Sequence, residues 1–232
     1  FTLLYIVSAL TMVVSVILFF MLKLPKTEIK KTPINVKNLI NKDALPASCT
    51  AILFLLTYGA LENFTLQYSV ESESITLSGG LYFTVMAVAL FLTRITVGKV
   101  ADRKGEGIFV YSCNAAMFVA LIILATMPCN AVFLISALLS GYAFGGLEPS
   151  LQAMAVSIAK PSERGSANST FLCAYDIGIG LGGGIAGVLI DIVGYNKMFG
   201  LIAIANVISV IIYILIGKNH PSSISYRLKK DL

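Results

Sequence analysis

The sequence predicts an all-α integral membrane protein that crosses the bilayer as seven helices. Of its 232 residues, 57% are apolar and only 12% are charged, whereas about a quarter of the residues in ordinary soluble domains are charged. Long uncharged stretches alternate with short basic segments. Each stretch is long enough to cross about 30 Å of hydrocarbon as a helix. Little of the chain is left for a separate soluble domain.

The uncharged stretches place the helices in order. The run over 107–147 would be about 60 Å long at 1.5 Å per residue, so it must reverse on itself. Pro128 and Asn130 supply the turn, because both residue types end helices. The second stretch contains one charge, Glu62. We predict helices over residues 1–22, 44–70, 74–93, 107–127, 130–159, 166–190 and 198–217.

Basic residues predict the orientation, because Lys and Arg favour cytoplasmic loops. With the first connection cytoplasmic, fifteen of the 17 basic residues lie on that side. Only Lys197 lies in a loop on the opposite side, and Arg94, near the inner end of the third helix, can snorkel to the interface. We therefore expect a multi-pass protein of the cell membrane with a cytoplasmic C-terminus. The net charge of +5 follows from this topology and from anionic lipid, so nucleic acid is not an expected partner.

The same pattern divides the chain into four segments. It begins at Phe1 inside an apolar run, without a basic leader, and we expect it to be a piece of a longer protein. The segments are a first helix (1–22), a lysine-rich cytoplasmic loop (23–43), a six-helix domain (44–217) and a cytoplasmic tail (218–232).

Residues 182–187 read G-G-G-I-A-G, the spacing of a dinucleotide-binding loop. That fingerprint needs a strand before it and an acidic residue about 20 positions later, and neither is present. At helical spacing the glycines form a packing surface for a neighbouring helix. Gly141 and Gly145, followed by Pro149, form a second such surface. The predicted packing residues of the first surface are Gly178, Gly180, Gly182, Gly184 and Gly187.

Enzymatic chemistry is not expected. The only histidine, His220, lies in the tail, and the four cysteines contain no C-x-x-C pair. Neither a histidine-based triad nor a histidine metal site can therefore form within the spans. We predict no enzyme activity, no cofactor and no metal.

The turn from Gly98 to Gly105 carries the most specific pattern of polar residues. By itself it could be a capped turn in which Asp102 meets a helix N-terminus and Arg103 stays in the aqueous interface. As a set, the residues resemble the loop motif G-x-x-x-D-R-x-G-R-R of the major facilitator superfamily. Glu106 and Gly107 replace the basic pair that closes the motif.

Other features extend this resemblance over nearly the whole chain. Residues 161–167 are similar to the P-x-x-R-G-x-A turn of the drug-efflux branches, with Arg164 at its arginine. Asp176, the glycine run and Gly194-Tyr195 are similar to their eleventh helix. The resemblance implies the sixth helix and the C-terminal six-helix half of a twelve-helix fold, with substrate bound between the halves. It also implies a gating turn, and a missing N-terminal half as partner. The gating residues are Gly98, Asp102, Arg103, Gly105 and Arg164.

Three carboxylates within the spans are candidates for substrate binding or proton coupling: Glu62, Glu148 and Asp176. Each costs about 2.5 to 3.5 kcal/mol on insertion scales, so each is expected to face a cavity or a partner. A hydrogen bond to a neighbouring helix is the alternative role. Asp191 is expected at a solvated helix end.

The resemblance to the efflux branches implies proton-coupled export of a small amphipathic or cationic compound. Uptake of a metabolite by symport is the alternative within the class. A membrane sensor or assembly subunit that does not transport would keep the helices and the gating turn, but would need no carboxylate in a cavity.

Overall fold

The computed structural model describes residues 2–22 and 40–230, apart from the side chains of Leu4 and Lys229. Most of the predicted 23–43 loop, with five of its lysines, lies outside the described residues. The chain forms two units, Phe1–Ile34 and Asn35–Leu232. The first contains α1 (Thr2–Met21), an apolar helix that agrees with the predicted first helix.

The second unit consists of helices throughout its described part, which confirms the predicted fold class. Short 3₁₀ and π-helical turns adjoin two of the helices, at Lys42–Ala44 and Tyr213–Gly217. The helices are α2 (Leu45–Glu71), α3 (Gly79–Lys104), α4 (Gly107–Thr126), α5 (Asn130–Val156), α6 (Arg164–Ile212) and α7 (Ile224–Lys230).

The third predicted helix had the wrong ends. Ser78 caps α3 by accepting a hydrogen bond from the Leu81 N–H, and the helix then continues past Arg94 to Lys104. The prediction ended this helix at residue 93, because the charge of Arg94 was taken to mark the end of the span. Arg94 instead lies well inside the helix, which is possible because its side chain has a partner there.

The predicted sixth and seventh helices form one 49-residue element, α6, interrupted at Gly194. A straight helix of that length would be about 74 Å long, too long for one crossing. Gly194 has φ +79° and ψ 169°, which no helix contains. Residues 164–193 form a first arm that runs parallel to α2, since Gly178 lies against Ile52 and Gly187 against Phe64.

The second arm, residues 195–217, runs back along α2 in the opposite direction. Near its start the Phe199 ring lies 5.3 Å from the ring of Tyr68, at the end of α2. Ten residues later the Ser209 hydroxyl donates to the Thr50 carbonyl oxygen near the start of α2, at 2.8 Å. The chain therefore reverses at Gly194, and the two predicted crossings are confirmed within one continuous element.

Two three-helix units follow from this reversal: α2, α3 and α4, then α5 and the two arms of α6. In each unit, the second and third helices join at a glycine with positive φ, and no other described residue has one. Each of these glycines ends the same eight-residue pattern, G-x-x-x-D-x-x-G. The two patterns are Gly98, Asp102 and Gly105 in the first unit and Gly187, Asp191 and Gly194 in the second.

Contacts between turns define the two ends of the bundle. At one end the Gly107 N–H donates to Ser225 Oγ at 3.0 Å, and Ser157 Oγ donates to the Ser222 carbonyl at 2.7 Å. We call this the basic end, because nearly all described basic residues outside the helix interiors gather there. They are Lys42, Lys99, Arg103, Lys104, Lys160, Arg164, Lys218, Arg227 and Lys230.

At the opposite end the Thr76 N–H donates to Asn130 Oδ1 at 2.8 Å. Tyr195 begins the second arm there and donates to Glu71 Oε1 at 3.2 Å. Lys197 follows two residues later. The charge asymmetry used for the predicted topology is thus present between the two ends of the bundle.

Candidate functional site

An ion pair joins α3 and α5 within the helical bundle. Arg94 Nη2 lies 2.7 Å from Glu148 Oε2, and it is the only ion pair among the described residues. The Glu148 side chain is 14% exposed and the Arg94 side chain 48% exposed. Glu148 was predicted as a site residue. The expectation that Arg94 snorkels to the interface is corrected by this contact, since its guanidinium points to a carboxylate on the next helix.

Two glycines bring this pair together. A Cβ on Gly141 would fall on the Met86 carbonyl oxygen, and one on Gly145 would lie 2.9 Å from the Leu90 carbonyl oxygen. The backbones of α3 and α5 can therefore approach more closely here than side chains would allow. Arg94 lies one turn after Leu90, and Glu148 lies about one turn after Gly145. The crossing thus places the two charged side chains next to each other.

Aromatic rings from α2 and the first arm pack beside the pair. The Tyr58 ring stacks on Phe144, with ring centroids 3.9 Å apart and planes 12° apart. The Tyr175 ring also packs near Phe144, with ring centroids 6.4 Å apart. Because Phe144 precedes Glu148 by four residues, both side chains lie on the same face of α5.

The other two predicted carboxylates lie near the same tyrosines. Glu62 is one turn after Tyr58 on α2, and Asp176 follows Tyr175 on the first arm. Because Glu62 follows Tyr58 by four residues, the two side chains lie on the same face of α2. Both carboxylates are exposed and make no hydrogen bond or ion pair with the described residues. We call the set the tyrosine–carboxylate cluster; it consists of Tyr58, Glu62, Arg94, Phe144, Glu148, Tyr175 and Asp176.

Sequence reasoning missed the basic and aromatic members of this cluster. Arg94 was visible as a lone charge between two uncharged stretches, and the spacing of Gly141 and Gly145 could have indicated which helix faces it. Tyr58 and Tyr175 carried no signal in the sequence, because tyrosines are common throughout the chain.

The glycine-rich stretch lies inside a helix, which leaves no loop for a dinucleotide. A Cβ on Gly178 would lie 2.8 Å from the Ile52 carbonyl oxygen, and one on Gly182 would fall on the Leu56 carbonyl oxygen. A Cβ on Gly187 would make only an ordinary contact, 3.5 Å from the Phe64 ring. The predicted surface is narrower than expected, because a Cβ on Gly180 or Gly184 would meet no described atom within 4 Å.

The predicted gating turn lies at the basic end. Gly105 has φ +80°, and a Cβ there would collide with Ser225, so only glycine fits. Asp102 and Arg103 are exposed, and neither side chain has a hydrogen-bond partner among the described residues. A Cβ on Gly98, the first glycine of the motif, would have no described neighbour within 4 Å.

Arg164 is the first residue of α6 and is exposed, in the turn after α5. Its side chain forms no ion pair with the described residues. The structure therefore places it at the same end of the bundle as Asp102, but shows no contact between the two side chains.

Glu106 has a role that the sequence did not indicate. Its carboxylate is fully buried and accepts hydrogen bonds from the Tyr213 hydroxyl at 2.8 Å, from Ser223 Oγ at 2.5 Å and from the Ser225 N–H at 3.1 Å. These bonds fasten the start of α7 to the turn between α3 and α4. In the sequence Glu106 stood out only as a departure from the motif.

Residues 74–230 match the family model described as Major Facilitator Superfamily. The chain belongs to the major facilitator superfamily. The match covers well over half of the chain and includes the turn over residues 98–105, the crossing of α3 with α5 and most of the tail.

Relatives in this superfamily share modest identity with the chain. The Staphylopine export protein of Staphylococcus aureus is 25% identical over 74% of this chain, and 45% of that protein is covered. An uncharacterized MFS-type transporter of Burkholderia mallei is 30% identical over 64% of this chain, and 36% of that protein is covered. The chain thus spans less than half the length of these relatives.

Solved structures share the fold. A crystal structure of the peptide transporter POT in complex with sulfate gives a TM-score of 0.69 at 20% identity, covering 90% of this chain and 44% of that one. The E310Q mutant of the same transporter with alafosfalin gives 0.67 at 19% identity, covering 78% and 39%. At such identity the likeness concerns the fold alone.

Proposed function

We propose that this major facilitator chain is part of a secondary active exporter, which exchanges protons for a small amphipathic or cationic compound. The observation that carries the proposal is the Arg94–Glu148 ion pair beside two unpaired carboxylates in one cluster. Ionisable groups inside spans usually line a solute pathway. The chain would supply one wall of the cavity, and an N-terminal half would supply the other.

The chemistry of the cluster suits a cation with an apolar body. Tyrosine faces attract cations through the ring quadrupole, and carboxylates attract them by charge. Glu62 and Asp176 have no partner among the described residues and so are free to bind such a cation. Tyr175, which is only partly buried, would contact its apolar part.

The ion pair would couple this binding to protons. Ionised Glu148 neutralises the charge of Arg94, so a cation can occupy the cluster. When Glu148 takes up a proton, Arg94 loses its counter-charge and repels the bound cation. Proton uptake from the outer side would therefore expel the solute there, and proton release inside would restore the binding site.

We infer that the direction of transport is export from two observations, one relative and the gating turn. One relative is named as an export protein. In the family, the aspartate of the gating turn is thought to hold the two halves together at the cytoplasmic side while the outer side is open. Asp102 is exposed and without a described partner, so a residue of the N-terminal half is free to bind it. The basic end is the cytoplasmic end in this proposal.

Flux measurements in membrane vesicles test the proposal. The protein is expressed from its complete gene, and uptake of a lipophilic cation, tetraphenylphosphonium, into inside-out vesicles is measured with and without a pH gradient. Wild type should accumulate the cation only with the gradient. Glu62→Gln, Glu148→Gln and Asp176→Asn should reduce this accumulation severalfold or more.

Glu163→Gln is the matched control, because Glu163 is an exposed carboxylate outside the cluster. It should transport like wild type. Flux that ignores the gradient, or that survives all three cluster substitutions, would rule out proton-coupled export through these residues.

A further inference from the structure

A cavity of about 370 Å³ opens at the basic end, beside the tail. Arg103 and Lys104 of the gating turn and Lys218 at the start of the tail line it together. None of these basic side chains has an ion-pair partner among the described residues. Ser225 and Tyr226 add hydroxyl groups to the same wall. Three cations and two hydroxyl groups around one space are the chemistry that binds a phosphate.

A second cavity, of about 380 Å³, lies along α4 and the second arm. Tyr111 lines both cavities, so the two lie next to each other, on either side of its side chain. The lining of the second is almost entirely apolar, with Phe118 and Val119 on α4 facing Val207 on the second arm. The first cavity is thus charged and lies at the basic end, whereas its neighbour is apolar and lies towards the middle of the bundle.

We propose that the two neighbouring cavities together bind one anionic phospholipid molecule, whose chain passes the Tyr111 side chain. Its phosphate lies against Arg103, Lys104 and Lys218, and one acyl chain lies between α4 and the second arm. Gly107 and Phe118 are 11 residues apart, which is about 16 Å along a helix. That is about half of the 30 Å hydrocarbon thickness, the length of an acyl chain from one leaflet.

The buried Glu106 holds the tail beside the charged cavity. Its hydrogen bonds to Ser223 and Ser225 hold the start of α7 against the turn, where Ser225 and Tyr226 form one wall of the charged cavity. Glu106 does not itself bind the lipid, because its carboxylate oxygens already accept hydrogen bonds from Tyr213, Ser223 and Ser225. Glu106 positions the tail, and the neighbouring Arg103, Lys104 and Lys218 bind the phosphate.

A tryptophan reporter tests the site. The chain contains no tryptophan, so Val207→Trp introduces one that lines the apolar cavity. Ile208→Trp is the matched control, because Ile208 is exposed on the same turn at the same depth but lines neither cavity. The protein is expressed from its complete gene and reconstituted with lipids carrying brominated acyl chains. Quenching of tryptophan fluorescence beyond that seen in the parent protein then reports contact between the brominated lipid and residue 207 or 208.

Brominated phosphatidylglycerol should quench Val207→Trp with an apparent affinity at least about fivefold above that of brominated phosphatidylcholine, since each basic group near an anionic lipid contributes about this factor. At Ile208→Trp the two lipids should quench equally. Adding Arg103→Gln, Lys104→Gln and Lys218→Gln to Val207→Trp should bring the ratio close to one, because all three cations are then removed. Because each ratio compares two lipids on the same protein, it does not depend on the yield of folded variant.

Two outcomes would overturn the proposal. Equal quenching by both lipids at Val207→Trp would show that the site does not select an anionic headgroup. Loss of the phosphatidylglycerol preference on addition of millimolar inorganic phosphate, with the lipids unchanged, would show a site for soluble phosphate instead of a lipid site.

Discussion

At the scale of single residues, the pairing of Arg94 with Glu148 decides what the cluster can do. The insertion cost of a charged group marked Glu62, Glu148 and Asp176 in the sequence as candidates for binding or coupling. It could not indicate the partner of Glu148, because the pair depends on how closely α3 and α5 cross at Gly141 and Gly145. The candidate carboxylates were thus predictable from the sequence, and their arrangement was not.

The proposed coupling makes a prediction about a double substitution. Glu148→Gln leaves Arg94 without a counter-charge, so binding of tetraphenylphosphonium should weaken by about tenfold, within the range of ordinary coupling energies. Arg94→Gln added to Glu148→Gln removes the repelling charge and should restore affinity to within a few-fold of wild type. Equilibrium binding to purified protein measures both. If the double variant binds as poorly as Glu148→Gln, Glu148 contacts the cation directly and Arg94 is not the coupling element.

At the scale of helices, glycine positions decide which surfaces touch. Sequence spacing identified the glycine-rich first arm as a packing surface, but could not separate the glycines that face α2 from those that face away. Gly182 lies against the Leu56 backbone, whereas Gly184, two residues later, meets no described atom. The register of the first arm against α2 makes this distinction, and a single sequence does not contain it.

This difference gives a matched pair of substitutions. Gly182→Ala should lower the free energy of unfolding by on the order of 1 to 3 kcal/mol, because a methyl group is forced onto backbone. Gly184→Ala should be neutral or stabilise by up to about 1 kcal/mol, since alanine is the better helix former. Unfolding by sodium dodecyl sulfate in mixed micelles measures both. Equal losses would mean that the first arm packs on a different face.

The attachment of α7 depends on one buried carboxylate. Glu106→Ala removes the acceptor for Tyr213, Ser223 and Ser225, so the tail should separate from the gating turn. Trypsin should then cleave after Arg227 several times faster than in wild type, because an unfastened segment is open to proteases. Glu163→Ala, at the same end of the bundle, is the control and should leave the rate unchanged. An unchanged rate in Glu106→Ala would show that other contacts hold the tail.

At the scale of the whole molecule, two three-helix units repeat one turn at opposite ends. The glycines at positive φ, Gly105 and Gly194, join the second and third helices of each unit, and each follows an aspartate at the same spacing. Composition and charge were enough to predict an all-α membrane fold and most of its crossings. They could not predict that the last two crossings form one element, because only the backbone at Gly194 shows the reversal.

The two ends of the bundle make the topology testable. With the four native cysteines replaced, single cysteines at Lys104, Lys160 and Lys197 are exposed to a membrane-impermeant maleimide on intact cells. Lys197→Cys should react from outside, and the other two only after the membrane is opened, as the positive-inside rule requires. Reaction of Lys104→Cys and Lys160→Cys from opposite sides would contradict the bundle itself.

The central claim is that a cation and a proton compete for this cluster, and proton release on binding tests it most directly. Purified protein in weakly buffered detergent solution is mixed with tetraphenylphosphonium, and a pH indicator follows the solution. The account predicts that, over a pH series, release peaks at about half a proton per bound cation, as a tenfold coupling allows, and that Glu148→Gln releases none at any pH. A wild-type protein that binds the cation without releasing protons, or a Glu148→Gln variant that still releases them, would contradict it.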